Sequence, residues 1–207
     1  MRDRGHPRDK VIRVRLFVAV YPPAEALDHL AEAVGRLRLG AAAAAGTNVR
    51  IVARPLWHVT LAFLGEAPEE RAGDARTAVA AGVSRWRAHA GAAPELWLAG
   101  GGRFGRRRFT VLWVGLQGDV TALRALGEAV RRELKRARLA YDPKPLRPHL
   151  TFARPGEKLS ATDLAADLAA LDTYKGPSWT VDAVHQVHSQ LGPKPVHTSL
   201  AAVPLSG

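Results

Sequence analysis

Apolar and polar residues alternate between Val11 and Val20, placing Ile12, Val14, Leu16 and Val18 on one face, the period-two pattern of a strand. Pro22 and Pro23 stop it and open a helix in which Leu27, Leu30, Val34 and Leu37 recur at three- and four-residue steps. The alanine-rich run from Gly40 to Gly46 reads as a loop or a frayed helical end, a spacer without chemistry. Val49 to Ala53 predicts a short strand broken by Arg54-Pro55, and His58 to Leu64 predicts another, closed by Gly65. Pro68, Glu69 and Glu70 open a helix striped by Ala72, Val79, Val83 and Trp86. A strand is expected at Glu95 to Leu98, with Gly100-Gly101-Gly102 beyond it. No helix start follows these glycines, which argues against a phosphate-binding loop.

The second half repeats the order. Phe109 to Leu116 is an apolar strand, and Gly118-Asp119 starts a helix carrying Leu123, Leu126, Val130, Leu134 and Ala137 on one side. A proline-rich turn from Tyr141 to Pro148 leads into the strand at His149. Ser160 and Asp163 form a capping box for a helix striped by Leu164, Leu168 and Leu171. Trp179 to Val187 and Val196 to Val203 are the last strands expected. Each half therefore reads strand, helix, strand, helix, strand. The predicted fold is α+β, bilobed and pseudo-twofold, with mainly antiparallel sheets lining a central cleft and helices outside. Residues 1–10, polar and basic with Gly5 and Pro7, are expected to be a disordered tail. One domain follows over 11–207, with pseudo-repeats near 11–108 and 109–207.

The two halves share a phrase. His58-Val59-Thr60 and His149-Leu150-Thr151 each put a histidine and a threonine on one strand face, with Val59 and Leu61, or Leu150 and Phe152, pointing into a core. Two imidazoles that titrate near neutral pH, offered to a common surface, constitute an acid and a base.

Composition narrows the setting. The 207 residues carry a net charge of +11 and no cysteine. Disulfides and thiolate zinc sites are excluded, which fits a reducing cytoplasm. No apolar run reaches the roughly 18 residues of a membrane span, and Arg2 to Lys10 lead into no signal-peptide core. The reading is a cytoplasmic protein without a membrane partner. The charge is densest at Arg106-Arg107-Arg108, at Arg131-Arg132, and at Lys135 with Arg136 and Arg138. Guanidinium groups suit phosphate, so a polyanion, nucleic acid first, is the expected partner. An Ala- and Arg-rich composition is the competing explanation of that charge.

The paired His-x-Thr strands resemble the signature of the two-histidine phosphoesterase superfamily. Arg15-Leu16-Phe17-Val18-Ala19-Val20, Thr60-Leu61-Ala62-Phe63-Leu64-Gly65 and Arg147-Pro148-His149-Leu150-Thr151-Phe152-Ala153-Arg154 are similar to its bacterial RNA 2′,3′-cyclic phosphodiesterases, also called 2′-5′ RNA ligases. The resemblance implies a reaction without metal or cofactor in which water opens a terminal 2′,3′-cyclic phosphate to a 2′-phosphate, with possible reversal as ligation. It implies His58 as proton donor and His149 as proton acceptor, with Thr60, Thr151 and Arg154 contacting phosphate. RNA ends or nucleotides bearing the cyclic phosphate are the implied partners, and a monomer is expected. Phe17 is open between a base-stacking ring and a core residue. Two positions depart from the family's pattern: His197 stands where many relatives have tyrosine, and Gly105 stands where proline is common, a change expected to loosen a turn.

Three alternatives remain at this point. One is a phosphodiesterase acting on small cyclic nucleotides or 2′-5′ oligonucleotides. Another is a non-catalytic RNA-binding module, against which both histidines and both threonines are intact. The third is a metal-dependent phosphohydrolase. Glu66 and Asp142 are the acids nearest the motifs, and the odd spacing of His185 and His188 puts them on opposite strand faces.

Overall fold

The computed structural model describes residues 12–90 and 92–206; the expected tail at 1–10 lies outside the described residues. Eight strands form one sheet: β1 (Arg13–Val20), β2 (Val59–Pro68), β3 (Glu95–Phe104), β4 (Val111–Gly118), β5 (His149–Ala153), β6 (Lys175–Thr180), β7 (Ala183–Gln190) and β8 (Val196–Pro204). Their order is β6-β3-β4-β5-β2-β1-β7-β8, and every pairing is antiparallel. Among the described residues five α-helices accompany it: α1 (Ala24–Arg36), α2 (Arg38–Ala44), α3 (Ala72–Arg87), α4 (Val120–Arg136) and α5 (Ala161–Asp172). The α+β class, the antiparallel sheet and the outer helices are as expected.

The two motif strands meet at the middle of the sheet through one bridge, Val59 opposite Leu150. Four strands lie on either side of this seam. The two sequence halves exchange strands across it: β3 pairs with β4, while β7 pairs with β1. Neither four-stranded lobe is thus built from one half of the chain alone. A core that includes Leu61, Leu98, Val130, Leu150 and Phe152 fills the space between sheet and helices. Helices α3 and α4 come together where Gly82 meets Val130; a Cβ at Gly82 would lie 2.6 Å from the Val130 Cα.

Several elements differ from the sequence expectation, each for a local reason. Gly65 does not close β2. It adopts φ +71°, opposite Leu16 where the register slips, so glycine supports a bulge and the strand continues to Pro68. The three glycines at 100–102 lie inside β3. Gly100, at φ +64°, is the extra residue where the β3–β4 register slips, and a Cβ at Gly102 would lie 2.2 Å from the Trp113 indole. The run near 40–46 holds a true helix, α2, which buries Leu39. Its first amides are capped from a distance, since Arg38 N–H and Leu39 N–H donate to the buried Asp167 carboxylate of α5 at 2.7 and 3.0 Å. Burial raises the Asp167 pKa against the pull of these two donors.

Val49 to Ala53 is not a full strand. It makes one bridge, Ile51 with Ala153, and Val52 N–H donates to Phe152 O at 2.8 Å. The expected strand from Trp179 to Val187 is two strands, broken at Val181 and Asp182. The capping serine of α5 is as expected, with Asp163 N–H donating to Ser160 Oγ at 3.0 Å. Gly105 is not a loosened turn: it sits at φ +68°, closed to proline, and a Cβ there would lie 2.3 Å from the Phe109 carbonyl oxygen.

Candidate active site

Both motif histidines arrive on anchored segments. Before β2 a turn over Arg54–Leu56 is pinned by buried Trp57, whose indole N–H donates to Val52 O at 2.8 Å. The loop before β5 is tied to β2 by Asp142 N–H donating to Phe63 O at 2.8 Å. Arg131 of α4 completes the tie: Nε donates to Leu61 O and Nη1 to Lys144 O, each at 2.8 Å. This guanidinium, counted among the basic clusters in the sequence, instead clamps one motif strand to the loop feeding the other.

Val59 and Leu150 point into the core, so their neighbours face the opposite side of the sheet. The pairing is this single bridge, and the residues flanking it, His58 and Thr60 on one segment and His149 and Thr151 on the other, share the face opposite the core. The two histidines lie close enough for His149 to disfavour a proton on His58 by like-charge repulsion. The bridge thus sets the His58–Thr60 and His149–Thr151 segments side by side at the middle of the sheet.

The imidazoles are held alike. His58 Nδ1 lies 2.7 Å from Leu56 O, and His149 Nδ1 lies 2.6 Å from Arg147 O. A carbonyl oxygen only accepts, so Nδ1 carries the hydrogen in both rings and each Nε2 is left to accept or deliver a proton. Among the described residues, neither the Thr60 nor the Thr151 hydroxyl is engaged in a hydrogen bond with another side chain or the backbone.

The walls differ. Phe17 stacks on His58 with centroids 4.6 Å apart and planes at 26°. Only 3% exposed, Phe17 is a floor beneath the imidazole and is not a free base-stacking ring. His197 sets its ring edge-on to His58 at 5.1 Å and to Phe17 at 4.9 Å, so the position that departs from the family contacts the site directly. Around His149, Phe104 lies at 4.9 Å and Trp113 at 6.1 Å, both edge-on. The sequence reading missed Tyr21, Phe104 and Trp113. Their only signal is strand position, which cannot be used before the register is known.

Burial pushes the His58 pKa down to about 4, helped by the nearby His197 and His149 and opposed by the Leu56 carbonyl. Tyr21, 6.0 Å from His58, is pushed up to about 12 by burial and stays a phenol. His197 and His185 are also lowered by burial. His185 packs on Tyr21 at 5.1 Å and is paired opposite Ala19, whereas His188 is opposite Leu16, so the two do occupy opposite faces.

The His58 shift has a consequence for stability. Its value is about 4 in the fold against an ordinary 6.5, so the unfolded chain binds more protons between those limits. Stability is therefore full above about 6.5, falls as pH drops toward 4, and levels off below. The loss is roughly 3 kcal/mol at 1.36 kcal/mol per pKa unit. Urea midpoints measured through this window should fall in the natural protein and fall less in His58→Phe; parallel curves would refute the shift.

Arg154 is placed apart from the four motif residues. It follows the end of β5, is exposed, and lines an adjoining groove that none of the four lines. Among the described residues no cluster of three or more His, Cys, Asp or Glu is arranged to hold a metal ion, and no helix is long and apolar enough to cross a membrane.

Comparison with known proteins bears on the family and the fold. The family described as the 2′-5′ RNA ligase superfamily matches residues 14–193. An RNA 2′,3′-cyclic phosphodiesterase of Geobacillus stearothermophilus is 30% identical over 155 residues, covering 73% of this chain and 46% of that protein. The chain thus matches less than half the length of this relative. Among solved structures, TT0787 of Thermus thermophilus is 30% identical with a TM-score of 0.66, covering 93% of this chain and 98% of that one. E. coli LigT in its apo form shares the fold, with a TM-score of 0.66 at 21% identity and coverage of 93% and 97%.

Proposed function

The chain belongs to the 2′-5′ RNA ligase superfamily, and we propose that it opens 2′,3′-cyclic phosphates at RNA ends to 2′-phosphates, His58 and His149 moving the two protons. One observation carries this reading: two imidazoles on adjacent antiparallel strands, each with Nδ1–H fixed on a carbonyl and Nε2 free. The Geobacillus stearothermophilus relative, named for this reaction, supports the substrate class.

Water attacks phosphorus as the bond from phosphorus to the 3′ oxygen breaks on the opposite side. His149 takes the proton from water and His58 gives one to the departing 3′ oxygen, so each needs its own place. The hydroxyls of Thr60 and Thr151 donate to the non-bridging oxygens, where charge grows in the transition state. Arg154, set beyond the pair, holds a phosphate farther along the strand. With an RNA 5′-hydroxyl in place of water, the same step forms a 2′-5′ linkage and keeps the two histidine roles; its reversal, in which the 3′-hydroxyl attacks phosphorus and the 5′ oxygen leaves, exchanges them.

The low pKa of His58 bears on its role. In the free protein it is neutral at pH 7, so to act as donor it must take up a proton from solvent when the substrate binds. The cyclic phosphate is an anion, and bound beside the ring it favours the protonated form of His58 by Coulomb attraction. The opposite assignment, His58 as acceptor, is favoured by its resting neutrality, and one experiment separates the two. A substrate whose 3′ bridging oxygen is replaced by sulfur leaves as a thiolate and needs no donor. On it, His58→Ala should recover about tenfold or more of its lost rate while His149→Ala recovers little. The reverse pattern would exchange the roles, and equal recovery would contradict a separate donor and acceptor.

A further inference from the structure

The groove beside Arg154 is built from two fixed segments. On one flank Arg154 N–H donates to Arg50 O at 3.0 Å, which holds residue 50 against the end of β5. On the other flank the turn between β3 and β4 is locked: Thr110 N–H and Thr110 Oγ1 both donate to Arg107 O, at 3.0 and 2.7 Å, and Phe109 N–H donates to Arg106 O at 3.1 Å. The groove has a volume of about 530 Å³, and Arg50, Arg108, Arg154 and Lys158 line it with one carboxylate, Glu157. None of these four cations makes an ion pair among the described residues. A second hollow continues it past Arg106 and Arg107, sharing Arg108, Phe109 and Glu157.

Phe109 stands at the junction. It is 68% exposed, on a turn whose backbone is fixed, with the Arg108 guanidinium 4.8 Å from its ring centroid. An exposed ring rimmed by unpaired guanidinium groups matches what single-stranded nucleic acid requires, a stacking face beside cations that track its phosphates. Position supplies the link to the reaction: three residues of extended chain, about 10 Å, lead from Thr151 to Arg154.

We propose that this groove carries the RNA strand leading up to the cyclic phosphate, with Arg50, Arg108 and Arg154 on its phosphates and one base stacked on Phe109. This rests on the cyclic phosphodiesterase reading and assigns, outside the His-x-Thr pair, the residues that make an oligonucleotide end a better substrate than a mononucleotide.

Two measurements test it. The first compares kcat/KM for a cyclic-phosphate-ended oligoribonucleotide with that for a 2′,3′-cyclic mononucleotide. Phe109→Ala and Arg108→Glu should lower the oligonucleotide-to-mononucleotide ratio at least about fivefold, the lower end of what base stacking supplies, and Phe109→Trp should restore it. The second follows anisotropy of a labelled single-stranded RNA lacking the cyclic phosphate, as a function of salt. Arg108→Glu should weaken binding and flatten the salt slope by at least about 0.7, the value of one phosphate contact. An unchanged ratio, unchanged RNA binding, or displacement of the RNA by polyglutamate as readily as by unlabelled RNA would overturn the groove. If no cyclic phosphate is turned over but RNA binding falls in these variants, the groove stands and the catalytic reading fails.

Discussion

Replacing His58 or His149 by alanine should lower kcat on a 2′,3′-cyclic phosphate by about 10²- to 10⁴-fold each, the contribution of a positioned acid or base. The reason lies in the geometry of the seam. Each ring is locked by an Nδ1–H bond to the carbonyl two residues before it, so no rotation lets one imidazole serve both oxygens. The effects should not add, because a site that has lost either partner has lost the coupled transfer; the double variant should fall little below the weaker single one. The pH profile should be bell-shaped, since donor and acceptor must hold opposite protonation states, and each single variant should lose a limb. Steady-state rates, with circular dichroism to confirm folding, check this. A variant at either position retaining more than about a tenth of the natural rate would contradict the assignment.

Phe152→Ala should cost about 3–5 kcal/mol of stability, the usual penalty for truncating a fully buried aromatic ring. Phe152 is 0% exposed, on the strand that carries His149 and Thr151. Its neighbours cannot collapse easily into the space. Strands β4 and β2 pair on either side, and its own carbonyl accepts from Val52 N–H. Domains of this size have about 5–15 kcal/mol in all, so the variant should be marginal near 37 °C. Denaturant unfolding measures the loss; a change below about 1 kcal/mol would mean the site strand is not seated as described.

The paired His-x-Thr strands were legible in the sequence because their signal is local and repeated. A histidine and a threonine two apart share a strand face whatever the register, and two such strands in matching contexts point to one surface. The general arrangement of strands and helices followed from periodicity. What periodicity could not supply was the behaviour of glycine. Gly65 and Gly100 look like strand ends because glycine often marks them, yet both serve bulges at positive φ that keep long strands continuous. The short helix α2 was hidden because its cap comes from Asp167, far along the chain.

Charge was the second blind spot. Arg131 and Arg154 are alike in composition, but Arg131 donates to two backbone carbonyls at the seam while Arg154 opens onto the groove. His197 was singled out as a departure, and only the fold shows its ring against the one it perturbs. Strand exchange between the halves was equally invisible, since β3 and β7 read as strands without naming their partners.

The most direct test is the identity of the product. An RNA ending in a 2′,3′-cyclic phosphate, incubated with the protein in excess EDTA and read by phosphorus NMR, should give a terminal 2′-phosphate. A 3′-phosphate would contradict departure of the 3′ oxygen under protonation by one of the pair, and turnover that appears only when a divalent metal is restored would contradict metal-free transfer between His58 and His149.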